Sequence, residues 1–498
     1  MRPHVDATVE RSRYTAPSRQ RQHPREEGVN ALRKTPYAAC VAVATRPPVA
    51  PVPFPPYLVG IRPAFLFPNP LPVRVLLSGD IHIGRRSSRL PSDADPRATS
   101  STAAWHALVQ CAIDQRADVL ALSGDIVDQT NGFYEAFGPL ESGLRRLREA
   151  DVHVVAVCGN HDYAALPQLV GALPDGLITL IGAGGQWERH TIERNGEQLH
   201  VDGWSFNAPH VRHDPLSSYS FPHSTHTPVL GLLHADLDQA GSIYAPVRLA
   251  DLTATPVSLW LLGHVHCHAL HNADGATPVL YPGSPNPLDP GEPGEHGAWM
   301  VEFSPGRPVE PRLVPIARVR YHTLQLDVSD VSDTGAFREM LLQQLRRSAE
   351  DMCVAPLEYL SIRLRLTGRT TLGRELENEV RLLRDDLDME LQGVRVHVEK
   401  VELHARAAHS LESLAAGSDA ASHLARLLLA LEDGAVPGEF SQLIGRVEAL
   451  PGMLQSERQY ASLPSVPHDP TSGDMRSMLA QQASLLLDAI IDRKESAA

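Results

Sequence analysis

Gly159-Asn160-His161-Asp162 follows the apolar run Val152-His153-Val154-Val155-Ala156-Val157. That run reads as a buried strand, so an amide, an imidazole and a carboxylate lie just past a strand's carboxyl end. In open α/β sheets this edge is where ligands bind. Four other apolar stretches repeat the arrangement. Residues 73–77 lead to Asp80 and His82, 118–122 to Asp125, 228–233 to His234, and 257–262 to His264 and His266.

Together these stretches supply a mixed oxygen and imidazole set large enough for two metal ions. Such a set suits Mn, Fe or Zn better than Mg or Ca, which prefer all-oxygen shells. A carboxylate such as Asp125 can bridge two cations, one on each oxygen. Cations held ~3.5–4 Å apart can generate hydroxide at neutral pH and stabilise both oxygens of an in-line displacement at phosphorus. A lone Asp after a strand is usually a turn or cap, and a lone histidine is usually a surface or core residue. Five such coincidences at once exclude the bland explanation. Asp162 fits a capping or supporting role as well as a direct one. For His268, His271 and the histidines of 207–227 the ordinary surface role is expected.

Length suggests about three domains for 498 residues. Residues 1–72 are rich in Arg and Pro, with a proline-dense run from Pro47 to Pro56. They carry no period able to bury a face, so a disordered leader is expected. Strand and helix signals alternate from Val73, with a helix expected over 100–116 and a hairpin over 186–206 turning at Asn195-Gly196. A second unit, 317–405, reads strand (321–328), helix (334–350), strand (358–367), helix (371–391), strand (393–403). In its middle strand Leu360, Ile362, Leu364 and Leu366 alternate with Ser361, Arg363, Arg365 and Thr367. The tail, 406–498, reads as helices with apolar faces, one at Leu424, Leu427, Leu428 and Leu431 and another from Met475 to Ile491.

The five cysteines are scattered with no Cys-x-x-Cys pair. That argues against a disulfide framework or a zinc knuckle and fits a reducing, cytoplasmic setting. No apolar run reaches the ~20 residues a spanning helix needs, so no membrane span is expected. The net charge of -14 is awkward for a nucleic-acid binder. A local basic stripe can still do that work, and Arg363 and Arg365 are the candidates for contacting DNA phosphates.

The order Asp80-x-His82, Gly124-Asp125, Gly159-Asn160-His161-Asp162, His234, Gly263-His264-x-His266 resembles the calcineurin-like metallophosphoesterases over residues 73–316. The resemblance implies an α/β class fold, a four-layer α/β/β/α sandwich with a dinuclear site at one edge. It implies that Asp80, His82, Asp125 and His266 hold one metal and that Asp125, Asn160, His234 and His264 hold the other. His161 would then be the catalytic acid that protonates the leaving oxygen, a role that suits an imidazole.

Within that superfamily the chain looks most like the SbcD-type DNA repair exonucleases. The features are Gly79-Asp80-Ile81-His82-Ile83-Gly84, the late Tyr281-Pro282-Gly283-Ser284-Pro285 loop, and an α/β unit placed where those enzymes carry a DNA-capping domain. Some relatives have a histidine three residues after the second Asp. Here Asp128 stands instead, a departure that touches whatever phosphate contact that histidine makes. The resemblance implies two divalent cations, Mn first, together with DNA as substrate, a homodimer, and a tail that grips an SbcC-like coiled-coil ATPase. A small-molecule or phosphoprotein phosphatase would use the same two-metal chemistry. A non-catalytic scaffold would not require the full ligand set plus His161.

Overall fold

The computed structural model describes residues 71–498, other than 129–131, 223, 225, 240, 274, 276, 353–355, 433, 435–437, 457–471 and 498. The expected leader therefore lies outside the described residues, apart from Leu71 and Pro72.

The first part of the chain runs β1 (Val73–Ser78), α1 (Pro96–Thr99), α2 (Ser101–Asp114), β2 (Val119–Leu122), α3 (Gly132–Glu149), β3 (His153–Ala156), α4 (Ala165–Ala172) and β4 (Thr179–Leu180). It continues with β5 (Glu188–Arg194), β6 (Glu197–Trp204), β7 (Val229–His234), α5 (Leu249–Thr253), β8 (Leu259–Gly263), β9 (Ala269–His271), β10 (Val279–Tyr281), β11 (Gly297–Phe303) and β12 (Arg312–Pro315). These strands make two six-stranded sheets, ordered β12-β11-β1-β2-β3-β4 and β5-β6-β7-β8-β10-β9.

Alternation along β1 shows how the sheets are stacked. Val73, Val75 and Leu77 enter a core shared with Val119, Leu230, Leu232, Leu259 and Leu261, so the sheets pack face to face. Leu76 faces the other way, into a cluster with Trp105 and Leu108 of α2 and Leu140 and Leu144 of α3. Burial on both faces explains the unbroken apolar runs. The outer face of the second sheet, with Leu233, Trp260 and Leu262, is covered by Leu252 of α5 and by loops. The layers are helix, sheet, sheet and a thin helical layer, as expected for the four-layer sandwich. The expected hairpin is β5–β6, with Asn195 and Gly196 at φ 55° and 79°, the left-handed pair that a tight turn requires.

Register then positions the site. Ser78, Leu122 and Ala156 are neighbours across the parallel strands β1, β2 and β3. His234 is paired with Gly263 across β7 and β8. The strand ends are flush, so the residues just past them emerge together at one edge.

The second unit comprises β13 (Val319–Asp327), α6 (Thr334–Met352), β14 (Tyr359–Thr367), β15 (Arg369–Thr370), α7 (Arg374–Asp386), β16 (Asp388–Leu391), β17 (Val394–Leu403) and β18 (Arg406–Ala407). Its main sheet is β13-β14-β17-β16. The helix expected over 371–391 ends earlier, at Asp386. Gln392 and Gly393 at φ 52° and 78° turn the chain back, so Asp388–Leu391 pairs as an antiparallel edge strand. Leu360, Ile362, Leu364 and Leu366 are all buried, as the alternation requires.

The tail forms α8 (Leu411–Ala415), α9 (Ala420–Glu432), α10 (Ser441–Ser456) and α11 (Ser472–Ala497). Leu427, Leu428, Ile444, Leu487 and Ile491 close into a small core of their own. Much of each apolar face is thus used within the chain. Leu443, Leu450, Met478, Leu485 and Leu486 remain exposed. α11 is also latched to the capping unit. Asp488, 4% exposed, accepts from Arg369 at 3.0 Å and from Arg406 at 2.8 Å.

Removing one partner of a buried ion pair is strongly destabilising, though the half-exposed arginines soften the effect here. Asp488→Ala should therefore loosen the tail and the short β15–β18 pair it is tied to. Amide exchange should quicken across α11, β15 and β18 while β1, β2 and β3 keep their protection. Unchanged exchange in α11 would contradict the latch.

Candidate metal centre

Asp80, His82 and Asp125 sit in the left-handed region at φ 51°, 51° and 49°, and His264 sits at 97°. Each non-glycine residue held there costs on the order of 1–3 kcal/mol and persists only where neighbours enforce it. Here they do. The Asp80 N–H donates to the Gly124 carbonyl at 3.0 Å, and the His82 N–H donates to the Asp125 carbonyl at 2.9 Å. The Asp80 carboxylate in turn accepts from the His264 N–H at 2.9 Å, joining the first sheet's edge to the second's. Gly159 is required by close approach, because a Cβ there would lie 2.2 Å from the Asp125 Oδ1. Asp162 is fully buried and supportive: its two oxygens accept from Gly159 N at 2.8 Å and Ile126 N at 2.7 Å, tying the second and third motif loops together.

The side chains converge in two groups. Asp80, His82 and His266 bring one ligand atom each within 4.8 Å of one another, and so do Asp80, Asp125 and His234. The His82 and His266 Nε2 atoms face each other at 3.2 Å. The Asp125 Oδ2 lies 3.8 Å from the His82 Nε2 and 3.4 Å from the His234 Nε2, between the groups. Asn160 Oδ1 lies 3.0 Å from the His234 Nε2 and 3.2 Å from the His264 Nδ1. Every metal-ligand candidate read from the sequence therefore sits in one cluster.

The donor set fits cations. In three of the histidines one ring nitrogen is tied to an acceptor, which leaves the other to point a lone pair inward. The ties are His234 Nδ1 to the Ser123 carbonyl at 3.0 Å, His264 Nε2 to Asp236 at 3.3 Å and His266 Nδ1 to Glu292 at 2.7 Å. Such ties fix the tautomer of metal-ligating histidines. Asp80 and Asp125, 1% and 2% exposed, share this buried space with no Lys or Arg paired to them among the described residues. A carboxylate pair buried in that way calls for a cation.

The titration pattern agrees. Burial pushes Asp80 up to about 7, against the pull of His266 and with added repulsion from Asp125. Burial holds Asp125 above the usual carboxylate range. It also holds His82 well below its ordinary value, and it lowers His234 to about 3 and His264 to about 4. Burial opposes the charge on His266, but the bond to Glu292 and the nearby Asp80 outweigh it and lift the group to about 9.

His161 stands at the rim, its side chain 41% exposed. Its N–H donates to the Asp125 Oδ1 at 2.8 Å, its ring meets His82 edge-on at 4.9 Å, and its Nδ1 lies 3.7 Å from the Asp128 carboxylate. Asp128 thus places a negative charge beside His161, and it also pairs with Arg85 at 3.4 Å.

Arg363 and Arg365 are elsewhere, on the capping sheet, and are not a free basic stripe. Arg363 pairs with Glu399 at 2.6 Å and Arg365 with Glu402 at 3.0 Å, because β17 lies beside β14 with Glu402 opposite Arg365 and Glu399 at the bulge next to Arg363. The sequence reading missed Asp236 and Glu292. Asp236 had a signal, two residues past His234. Glu292 lies in a Pro/Gly-rich loop with no period to mark it.

Residues 73–268 match the calcineurin-like phosphoesterase family model, and residues 321–406 match that of the middle domain of the metallophosphoesterase YhaO. The chain is thus similar to the calcineurin-like phosphoesterases over the stretch that carries every residue of the ligand cluster. Among curated relatives, it is 24% identical over 274 residues to the uncharacterized metallophosphoesterase YhaO of Bacillus subtilis, covering 54% of this chain and 66% of that protein. It is 25% identical over 294 residues to the DNA double-strand break repair protein Mre11 of Methanopyrus kandleri, covering 55% of this chain and 63% of that one. The chain thus spans just under two thirds of the length of these relatives. A dimetal phosphatase from Danio rerio is 13% identical, covers 49% of this chain and 99% of its own, and superposes with a TM-score of 0.32. At that score the likeness carries no argument.

The shifts set a pH dependence. Asp80 and His266 bind protons more tightly folded than unfolded, since unfolded Asp and His titrate at about 3.9 and 6.5. Their contribution is complete below those values and is lost as pH rises through about 7 and about 9. His234 and His264 are already neutral above their unfolded value, so they add no slope there. Metal-free protein should therefore melt at falling temperature as pH rises from about 6.5 to about 9. Mn(II) competes with those protons, so the gain in melting temperature on adding it should grow over the same range. A gain independent of pH would contradict this ligand set.

Proposed function

We propose that the protein is a metal-dependent DNA nuclease, hydrolysing phosphodiesters at a two-cation centre. Two ligand groups that share Asp80, with the Asp125 carboxylate lying between His82 and His234 and His161 at the rim, carry the two-cation reading. Asp80, His82, Asp125 and His266 would hold one divalent cation, and Asp125, Asn160, His234 and His264 the other, with Mn the first choice and Fe or Zn the next. When bound, the cations supply an activated water and screen the charge of the phosphate.

The chain's own residues do the rest. His161 donates its ring proton to the leaving oxygen. Asp128 faces that ring, its carboxylate 3.7 Å from Nδ1, and orients it. The bond from the His161 N–H to the Asp125 carboxylate, a ligand candidate for both cations, fixes the backbone that carries the acid. The capping unit stands beside the loop that follows His82 and the loop that carries Glu292 to His266, where a long substrate would meet it.

DNA as the substrate is supported by the resemblance to SbcD-type exonucleases and by the named role of the Mre11 relative. The SbcD-type resemblance also supports a homodimer and an SbcC-like ATPase docking on the tail, where Leu443, Leu450, Met478, Leu485 and Leu486 are exposed, and the scattered cysteines support a cytoplasmic setting. The neutralised Arg363 and Arg365 favour the second reading, a phosphatase or phosphodiesterase for small molecules or phosphoproteins. Purified protein with Mn(II), given linear duplex DNA and separately a chromogenic phosphodiester, distinguishes them. The nuclease reading expects both to be cut. Cleavage of the small ester alone supports the second reading.

His161→Ala should keep both cations and lose turnover by about 10²–10⁴-fold, the usual contribution of a positioned acid. Asp125→Ala should lose metal itself. Full activity in the first variant, or unchanged metal content in the second, would remove these assignments.

A further inference from the structure

We propose that Glu292 is a positioning residue for His266, and that its loop makes the cation position of Asp80, His82 and His266 dependent on the capping unit. This inference rests on the metal-centre reading above and extends it to one side of the site.

Glu292 is 8% exposed and fully committed. One oxygen accepts from the His266 Nδ1 at 2.7 Å. The other accepts from the Leu288 N–H at 2.7 Å and the Ser284 hydroxyl at 3.2 Å. The carboxylate cannot turn without breaking these bonds, so it holds the His266 ring with Nε2 facing His82. Carboxylates behind ligating histidines orient them in this way.

The residues that follow Glu292 belong mechanically to the capping unit. Pro293 bridges to Tyr321 of β13, the Gly294 N–H donates to the Tyr321 carbonyl at 3.1 Å, and Glu295 pairs with Arg320 at 2.7 Å. The loop after His82 is gripped from the same side. The Tyr321 hydroxyl donates to the Ser88 carbonyl, the Ser361 hydroxyl to the Arg89 carbonyl at 3.2 Å, and the Asp95 N–H to the Tyr359 hydroxyl at 3.0 Å. The two loops also bond each other, from the Ser87 hydroxyl to the Pro287 carbonyl at 2.6 Å and from the Ser88 N–H to the Leu288 carbonyl at 2.8 Å.

One histidine of this cation position, His82, is therefore followed by a loop fastened to β13 and β14, and the other, His266, is held by Glu292 from a loop fastened to β13. The other position is fixed from within the phosphoesterase unit, by the Ser123 carbonyl behind His234 and by Asp236 behind His264. A shift of the capping unit would be felt at the first position and spare the second.

The test is a Mn(II) titration of the full-length, chelator-stripped protein, reading the affinity of each equivalent by calorimetry and the apo melting temperature alongside. Wild type should bind two equivalents. Glu292→Gln keeps the shape of the side chain and should weaken one equivalent by about 10–100-fold while leaving the other alone. Arg320→Ala, which touches no ligand, should weaken the same equivalent to a smaller extent. Two wild-type affinities in Glu292→Gln, or equal weakening of both, would overturn the proposal. If Glu292→Gln fails to fold, Arg320→Ala decides, and an unchanged affinity there overturns it. A wild type that binds no Mn(II) would instead bring down the metal-centre reading on which this one stands.

Discussion

Two buried carboxylates, Asp80 and Asp125, stand within coordination distance of each other and share that space with the imidazoles of His82, His234 and His266, away from any lysine or arginine partner among the described residues. Uncompensated charge of that kind is among the costliest things a fold can bury, and it is tolerable when a cation shares the space. Much of the first unit can be understood as serving that constraint. Flush parallel strands bring the motifs to one edge. Left-handed backbone at Asp80, His82 and Asp125 turns the side chains inward, and backbone bonds between motifs hold that strain. Ser123, Asp236 and Glu292 then fix the histidine rings from behind.

The charge pattern elsewhere looks different in this light. A net charge of -14 is awkward for a DNA enzyme unless a local basic stripe offsets it. The arginines of the capping sheet instead spend their charge inside the protein, on Glu399 and Glu402, while Arg369 and Arg406 hold Asp488 of the last helix. The capping unit is thus built around internal ion pairs and around its grip on two loops of the site. Its contribution to phosphate binding would come through placement rather than through a cationic face.

The fold and the ligand set were legible because both depend on local pattern. Parallel strands buried on both faces leave continuous apolar runs, and metal chemistry leaves Asp, Asn and His at fixed offsets from their ends. The Asn195-Gly196 hairpin was visible for the same reason. The edge strand 388–391 was not, because Leu391 also continues the helical spacing of Leu376, Val380, Leu383 and Leu387, and the Gln392-Gly393 turn that decides the matter is only two residues long. The pairing of Arg363 and Arg365 was hidden because it depends on the register between β14 and β17, which no local period encodes. Glu292 was hidden because a loop carries its carboxylate to His266 across 26 residues of sequence.

The central claim is that Asp125 bridges two cations. Anomalous scattering from crystals soaked in Mn(II) tests it most directly. The account predicts two peaks flanking the Asp125 carboxylate, one beside His82 and His266 and the other beside Asn160, His234 and His264. A single peak away from Asp125, or none at full Mn(II) occupancy of the solvent, would contradict it.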